Sequence, residues 1–177
     1  MKTYLELNDI EKMEQAASCL RDLLLIRLLF HLAARIYEVL SITEDDIDMV
    51  NGLVNIIHLK TRSKLLCPHC ESRLSRSSSF CSKCGIKIDK AKLEEQEHRK
   101  FRSIPIDKET LSMLKDHIDQ GGPILKNGKK LIFGINRHRG WQIVRSCAEK
   151  AGLSNLLNPD TGKIRGISPH RLRDAFP

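Results

Sequence analysis

Four cysteines fall as two close pairs, Cys67-Pro68-His69-Cys70 and Cys81-Ser82-Lys83-Cys84, with ten residues between them. Each pair can offer two thiolates to one metal ion, and two such pairs complete the tetrahedron that structural zinc adopts. A second constellation closes the chain as Ser168-Pro169-His170-Arg171-Leu172-Arg173. Serine followed by proline starts a helix. The spacing of three then sets His170 and Arg173 on one helix face, near its positive end, where both can face an anion. A third residue able to do chemistry, Arg35, follows a long apolar run, and Glu38 lies three further on. Taken alone, Arg35 reads equally well as a surface arginine laying its aliphatic stem along that run.

The chain has 177 residues, enough for one domain with a sizeable core plus a small module. Lys plus Arg total 30 against 22 for Asp plus Glu, a net charge of +8. Residues 1–60 are net −4 and residues 61–177 net +12. So uneven a charge suits a polyanionic partner, nucleic acid first among them, although it also serves solubility. No apolar leader follows Met1, and the longest apolar stretch, residues 20–40, is broken by Arg21, Asp22, Arg27, His31 and Arg35. It reads as a core helix rather than a membrane span, which points to a cytoplasmic protein with no membrane partner. Paired cysteines without a secretion signal point to metal rather than disulfides.

These groups need elements to position them. Asn8 and Glu11 have capping-box spacing, which predicts a first helix over about 9–19. A second, apolar on most sides, begins near Asp22 and breaks near Arg35 before helical pattern resumes through Leu40. Residues 47–50 and 53–59 alternate as strands about Asn51-Gly52, the favoured hairpin turn. A third strand is delayed to residues 100–106, so residues 65–98 read as a module inserted into the hairpin between the second and third strands. Asp107 opens a helix that ends at Gly121-Gly122, and Asn136 opens another closed by Gly152. A polar loop over 158–166 leads to the last helix. The module has little apolar content, with Leu74, Phe80, Ile86 and Ile88 the main candidates for cover, so it needs metal to fold. Gly85 frees the turn after the last ligand, and His69 is expected to point outward. Cys19, Cys147 and Trp141 are expected in the core.

Residues 29–42, Leu-Phe-His-Leu-Ala-Ala-Arg-Ile-Tyr-Glu-Val-Leu-Ser-Ile, with Asp46-Ile47-Asp48 after them, resemble the first signature of the tyrosine recombinase (phage integrase) family. Residues 167–176, Ile-Ser-Pro-His-Arg-Leu-Arg-Asp-Ala-Phe, resemble the second. The hairpin between them, and the strand Arg102-Ser103-Ile104-Pro105-Ile106, are similar too, so the resemblance covers everything except residues 65–98. It implies a mainly α fold with a small antiparallel sheet (α+β), in which residues 1–64 with 99–177 form a recombinase catalytic core; the cysteine spacing makes residues 65–98 an inserted four-cysteine, zinc-ribbon-like module. It further implies that Arg35 and Arg173 grip the scissile phosphate of double-stranded DNA, that His170 assists, and that Glu38 supports the site. Lys60, with Lys64 and Lys100 as alternatives, would protonate the leaving 5′ oxygen. Zinc on Cys67, Cys70, Cys81 and Cys84 would be structural, and other recombinase protomers would be partners.

The chain departs from that family in one respect. Its tyrosines are Tyr4 and Tyr37, and neither occupies the nucleophile's place after the second signature. The expectation is a catalytic domain truncated before its tyrosine, able to bind DNA at most. Two other readings compete with it. One is a non-catalytic zinc-ribbon DNA-binding or regulatory protein of the same descent, and the other is a structural zinc protein with no DNA role.

Overall fold

The computed structural model describes residues 2–75, 77–153, 155–158 and 161–176; the side chains of residues 58–63 and 95–100 lie outside the described set. The chain divides into two compact units, residues 1–56 with 102–177, and residues 57–101. Helices dominate, with small sheets beside them.

The first unit is built around α2 (Leu20–His31), whose Leu24, Leu25, Ile26, Leu28 and Leu29 are fully buried. Apolar residues on every side let it pack against α1 (Leu7–Gln15), α3 (Ile36–Leu40), α4 (Lys108–Asp119), α5 (Arg137–Lys150) and α6 (Pro169–Asp174). The box at the start of α1 is Glu6/Asp9, not Asn8/Glu11: the Glu6 N–H donates to Asp9 Oδ2 at 3.0 Å. Lys2 Nζ lies 2.9 Å from that nearly buried carboxylate, which fixes the helix two residues earlier than expected. Among the described residues no helix is long and apolar enough to cross a membrane.

β1 (Ile47–Asp48) pairs antiparallel with the start of β2 (Leu53–Leu66), in the register Ile47↔Val54 and Asp48↔Leu53. The connection is therefore four residues, Met49 to Gly52, and not the two-residue Asn51-Gly52 turn. Asp48 Oδ1 accepts the Val50 and Asn51 N–H groups at 3.0 and 2.9 Å, an aspartate-centred turn that outcompetes the tighter one. Asn-Gly does form a two-residue turn at Asn127-Gly128, between β5 (Ile124–Lys126) and β6 (Lys129–Leu131). Both residues there have positive φ, 51° and 74°. The expected polar loop before α6 is instead a hairpin, β7 (Asn155–Leu157) with β8 (Ile164–Gly166).

In the second unit, the end of β2 pairs with β3 (Arg73–Leu74), and β4 (Lys92–Pro105) pairs with β2. Its small core is Cys67, Leu74 and Cys81, with Leu65, Cys70, Ile88 and Ala91 against them. Phe80 and Ile86 stay exposed. Two of its three buried residues are thus cysteines of the two close pairs.

Candidate anion cleft and metal centre

α2 stops at His31 because Ala33 turns left-handed (φ 43°), and the chain re-enters a helix with Arg35 as the N-cap of α3. Glu38 holds that start: its Oε2 accepts the Arg35 N–H at 2.8 Å. Glu38 is buried, and Arg102 Nη2 reaches the same oxygen at 3.5 Å. The Arg35 backbone is thereby fixed while its side chain stays on the surface.

α6 begins at Ser168, whose hydroxyl makes no capping bond, and Pro169 takes the first helical position. Leu172 is completely buried and docks α6 onto α2. With Leu172 inward, His170 is exposed and Arg173 half-buried. His170 Nε2 lies 3.8 Å from Asp174 Oδ2, one turn on.

α3 and α6 meet α5 around a concavity of about 400 Å³, lined by Arg35, Ile36, Tyr37, Arg137, Trp141, Ser168, Pro169, His170 and Arg173. Three guanidiniums and an imidazole border it with no carboxylate among them, so its field favours an anion. Gly140 lets the walls approach: a Cβ there would stand 2.9 Å from Ile36 Cδ1.

Arg35, His170 and Arg173, chosen from sequence, thus line one cleft. The side chains of Lys60 and Lys100 lie outside the described residues, and Lys64 belongs to the second unit. Of the lining residues not chosen, Arg137, Trp141 and Tyr37 bear most on its chemistry. Arg137 opens a helix capped by Asn136, whose Oδ1 accepts the Arg139 N–H at 2.8 Å. Trp141 is 38% exposed rather than core, with the Arg145 guanidinium 5.3 Å from its ring centre. Helical phase alone did not separate it: Gly140, Ile143, Val144, Cys147 and Ala148 make the buried stripe, and Trp141, seven residues before Ala148, lies at the edge of that stripe, about 20° further round. Tyr37 is 65% exposed at the rim. Cys19 is also exposed, as the N-cap of α2, while Cys147 is buried.

The four sulfurs of Cys67, Cys70, Cys81 and Cys84 all lie within 4.8 Å of one another. Cys67 to Cys84 is 3.7 Å and Cys70 to Cys81 is 3.5 Å. Zinc at about 2.3 Å from four thiolates requires sulfurs about 3.8 Å apart, so the donor set fits that ion. The Ser72 hydroxyl, with the Cys84 and Lys83 N–H groups, brings the Cys81 thiol down to about 5. His69 points to solvent.

No family model matches this chain, and no curated protein matches it. Solved structures do. XerA recombinase is 17% identical over 99% of this chain and 49% of its own, with a TM-score of 0.61. The Tn1549 transposon integrase in complex with transposon right end DNA is 16% identical over 99% and 52%, at 0.55. The XerH site-specific recombinase bound to palindromic difH substrate is 18% identical over 98% and 40%, at 0.56. This chain spans about half the length of the structures it matches, or less. The likeness is one of fold: a mainly helical architecture shared with these recombinase and integrase structures, which here carries a four-cysteine cluster able to hold a metal ion.

Proposed function

We propose that this chain is the phosphate-holding part of a site-specific DNA recombinase or integrase. One observation carries the reading. Arg35, near the start, and His170 with Arg173, near the end, converge on a single carboxylate-free cleft. The fold likeness supports it, since the XerH and Tn1549 integrase structures hold DNA.

Duplex DNA enters the cleft through a backbone phosphate. Arg35 and Arg173 hydrogen-bond its non-bridging oxygens and offset the charge that builds as phosphorus becomes five-coordinate. His170 donates to the same group or moves a proton beside it. Glu38 keeps Arg35 in place. In the whole enzyme a tyrosine hydroxyl attacks phosphorus, a 3′-phosphotyrosine link forms, and the bond to the 5′ oxygen breaks. A lysine, Lys60 before Lys64 or Lys100, gives that oxygen its proton. Neither Tyr4 nor Tyr37 fills the nucleophile's role, so these 177 residues bind DNA without cleaving it. Residues 1–64 with 99–177 act as the core, and zinc held by the four cysteines folds the inserted segment without joining the chemistry. Other protomers assemble with the whole enzyme on DNA.

The test is binding of this chain to a short duplex across a salt series. Wild type is expected to bind, with Arg35→Gln and Arg173→Gln each weakening it by about tenfold, as loss of a charge-assisted contact implies. Binding that ignores both substitutions would favour a zinc-ribbon DNA-binding protein with no phosphate site. Absence of binding would leave only a structural zinc role. A nicked duplex that traps covalent intermediates should give no adduct, and an adduct lost in Tyr37→Phe would overturn the exclusion of Tyr37.

A further inference from the structure

The two cysteine knuckles share one backbone pattern. The Cys67 N–H donates to the Ser72 carbonyl at 2.9 Å, and the Cys81 N–H to the Ile86 carbonyl at 2.9 Å. The Glu71 N–H donates to the Cys67 carbonyl at 3.0 Å, and the Gly85 N–H to the Cys81 carbonyl at 2.9 Å. Ser72 therefore occupies in the first knuckle the place of Ile86 in the second. Their side chains part ways. Ile86 is 41% exposed. Ser72 Oγ stands 3.1 Å from Cys70 Sγ and 3.1 Å from Cys81 Sγ, one sulfur from each knuckle.

We propose that Ser72 is a positioning residue for the metal centre, its hydroxyl donating to the zinc-bound thiolates of Cys70 and Cys81. Four thiolates on a divalent ion carry a net charge of −2, and Cys67 and Cys81 are shut away from water. Such a cluster gains from any donor that draws electron density off sulfur. The hydroxyl carries one proton and two sulfurs share it, so the group also ties the knuckles together. This role is independent of DNA binding. It would fail if the hydroxyl instead served as acceptor to a thiol proton: Ser72 would then favour the metal-free form, and its removal would strengthen zinc binding.

The sign of the effect decides the matter. The whole chain, loaded with zinc, is titrated against a chromophoric chelator. Ser72→Ala should lose about tenfold in zinc affinity, the lower end for loss of a partner to a metal ligand. Ser72→Thr keeps a hydroxyl and should bind as wild type does, which preserves the test even if the alanine variant assembles poorly. Cobalt(II) gives a second readout. Wild type and threonine variant should show the same four-thiolate spectrum, with the sulfur-to-metal charge-transfer band moved to lower energy in the alanine variant. An unchanged or higher zinc affinity in Ser72→Ala would overturn the proposal. So would a threonine variant as weak as alanine while its four-thiolate spectrum is intact.

Discussion

The buried carboxylate of Glu38 accepts the backbone N–H of Arg35 at 2.8 Å, so the cleft arginine is held through its main chain by a residue three positions on. The same oxygen lies 3.5 Å from Arg102 Nη2 on β4. One side chain thus links the start of α3 to the sheet. Glu38→Gln keeps the shape but loses the charge, and costs about 1–2 kcal/mol of stability by urea unfolding. DNA affinity should fall with it, since the Arg35 side chain departs from a less fixed point. Stability lost with DNA affinity unchanged would separate Glu38 from the site.

Asp107 caps α4 and predicts an acid-side weakness. Its Oδ1 accepts the Thr110 N–H at 2.8 Å and its Oδ2 the Thr110 hydroxyl at 2.6 Å, while Arg27 Nη2 lies 3.4 Å away. Burial alone would push the Asp107 carboxyl up, but these partners hold it down to about 2. A depressed carboxylate stabilises the fold above its unfolded value, near 4, and that contribution drains as pH falls toward about 2. Asp107→Asn should flatten the urea-midpoint loss across that window, and Asp107→Ala should cost about 1 kcal/mol at neutral pH. An unchanged acid limb in Asp107→Asn would refute the assignment.

What could be read from the chain divides by range of interaction. The Asp107 and Asn136 caps and the paired cysteines are local chemistry, and each forms where its spacing indicates. Asn51-Gly52 failed as a tight turn because Asp48, three residues earlier, took the Asn51 N–H. No local preference reports that competition. The hairpin over 155–166 was invisible for a related reason: its strands are three residues each, too short for alternation to register. The cleft was half legible. Arg35, His170 and Arg173 stood out by type and spacing. Arg137 and Tyr37 became visible only when α3, α5 and α6 were brought together.

Gly85 tests the metal knuckle without touching a ligand. Its φ is +70°, and a Cβ there would meet nothing within 4 Å, so any penalty is conformational rather than steric crowding. Glu71 occupies the matching place at φ 55°, which shows that a side chain is tolerated. Gly85→Ala should therefore cost only about 1 kcal/mol, read as about fivefold weaker zinc. Stripping the metal altogether should open residues 57–101 to protease while the core around α2 survives, because that unit buries its own apolar cluster. Equal protection with and without zinc would contradict a folding role for the metal.

Arg137 supplies the last test, of how much of the cleft DNA uses. It lines the same cleft as Arg35 and Arg173, yet lies on α5, at an N-terminus fixed by Asn136. A cleft of about 400 Å³ has room for more than one phosphodiester oxygen pair. Arg137→Gln should weaken duplex binding uniformly across sequences and reduce the log–log salt slope by about 1, the mark of one lost phosphate contact. Arg145, which lies over Trp141, is the control: Arg145→Gln should move the slope less. If Arg137→Gln leaves the slope intact while Arg35→Gln changes it, the DNA path runs along α3 and α6 alone, and the α5 wall serves only to hold α3 in place through Gly140.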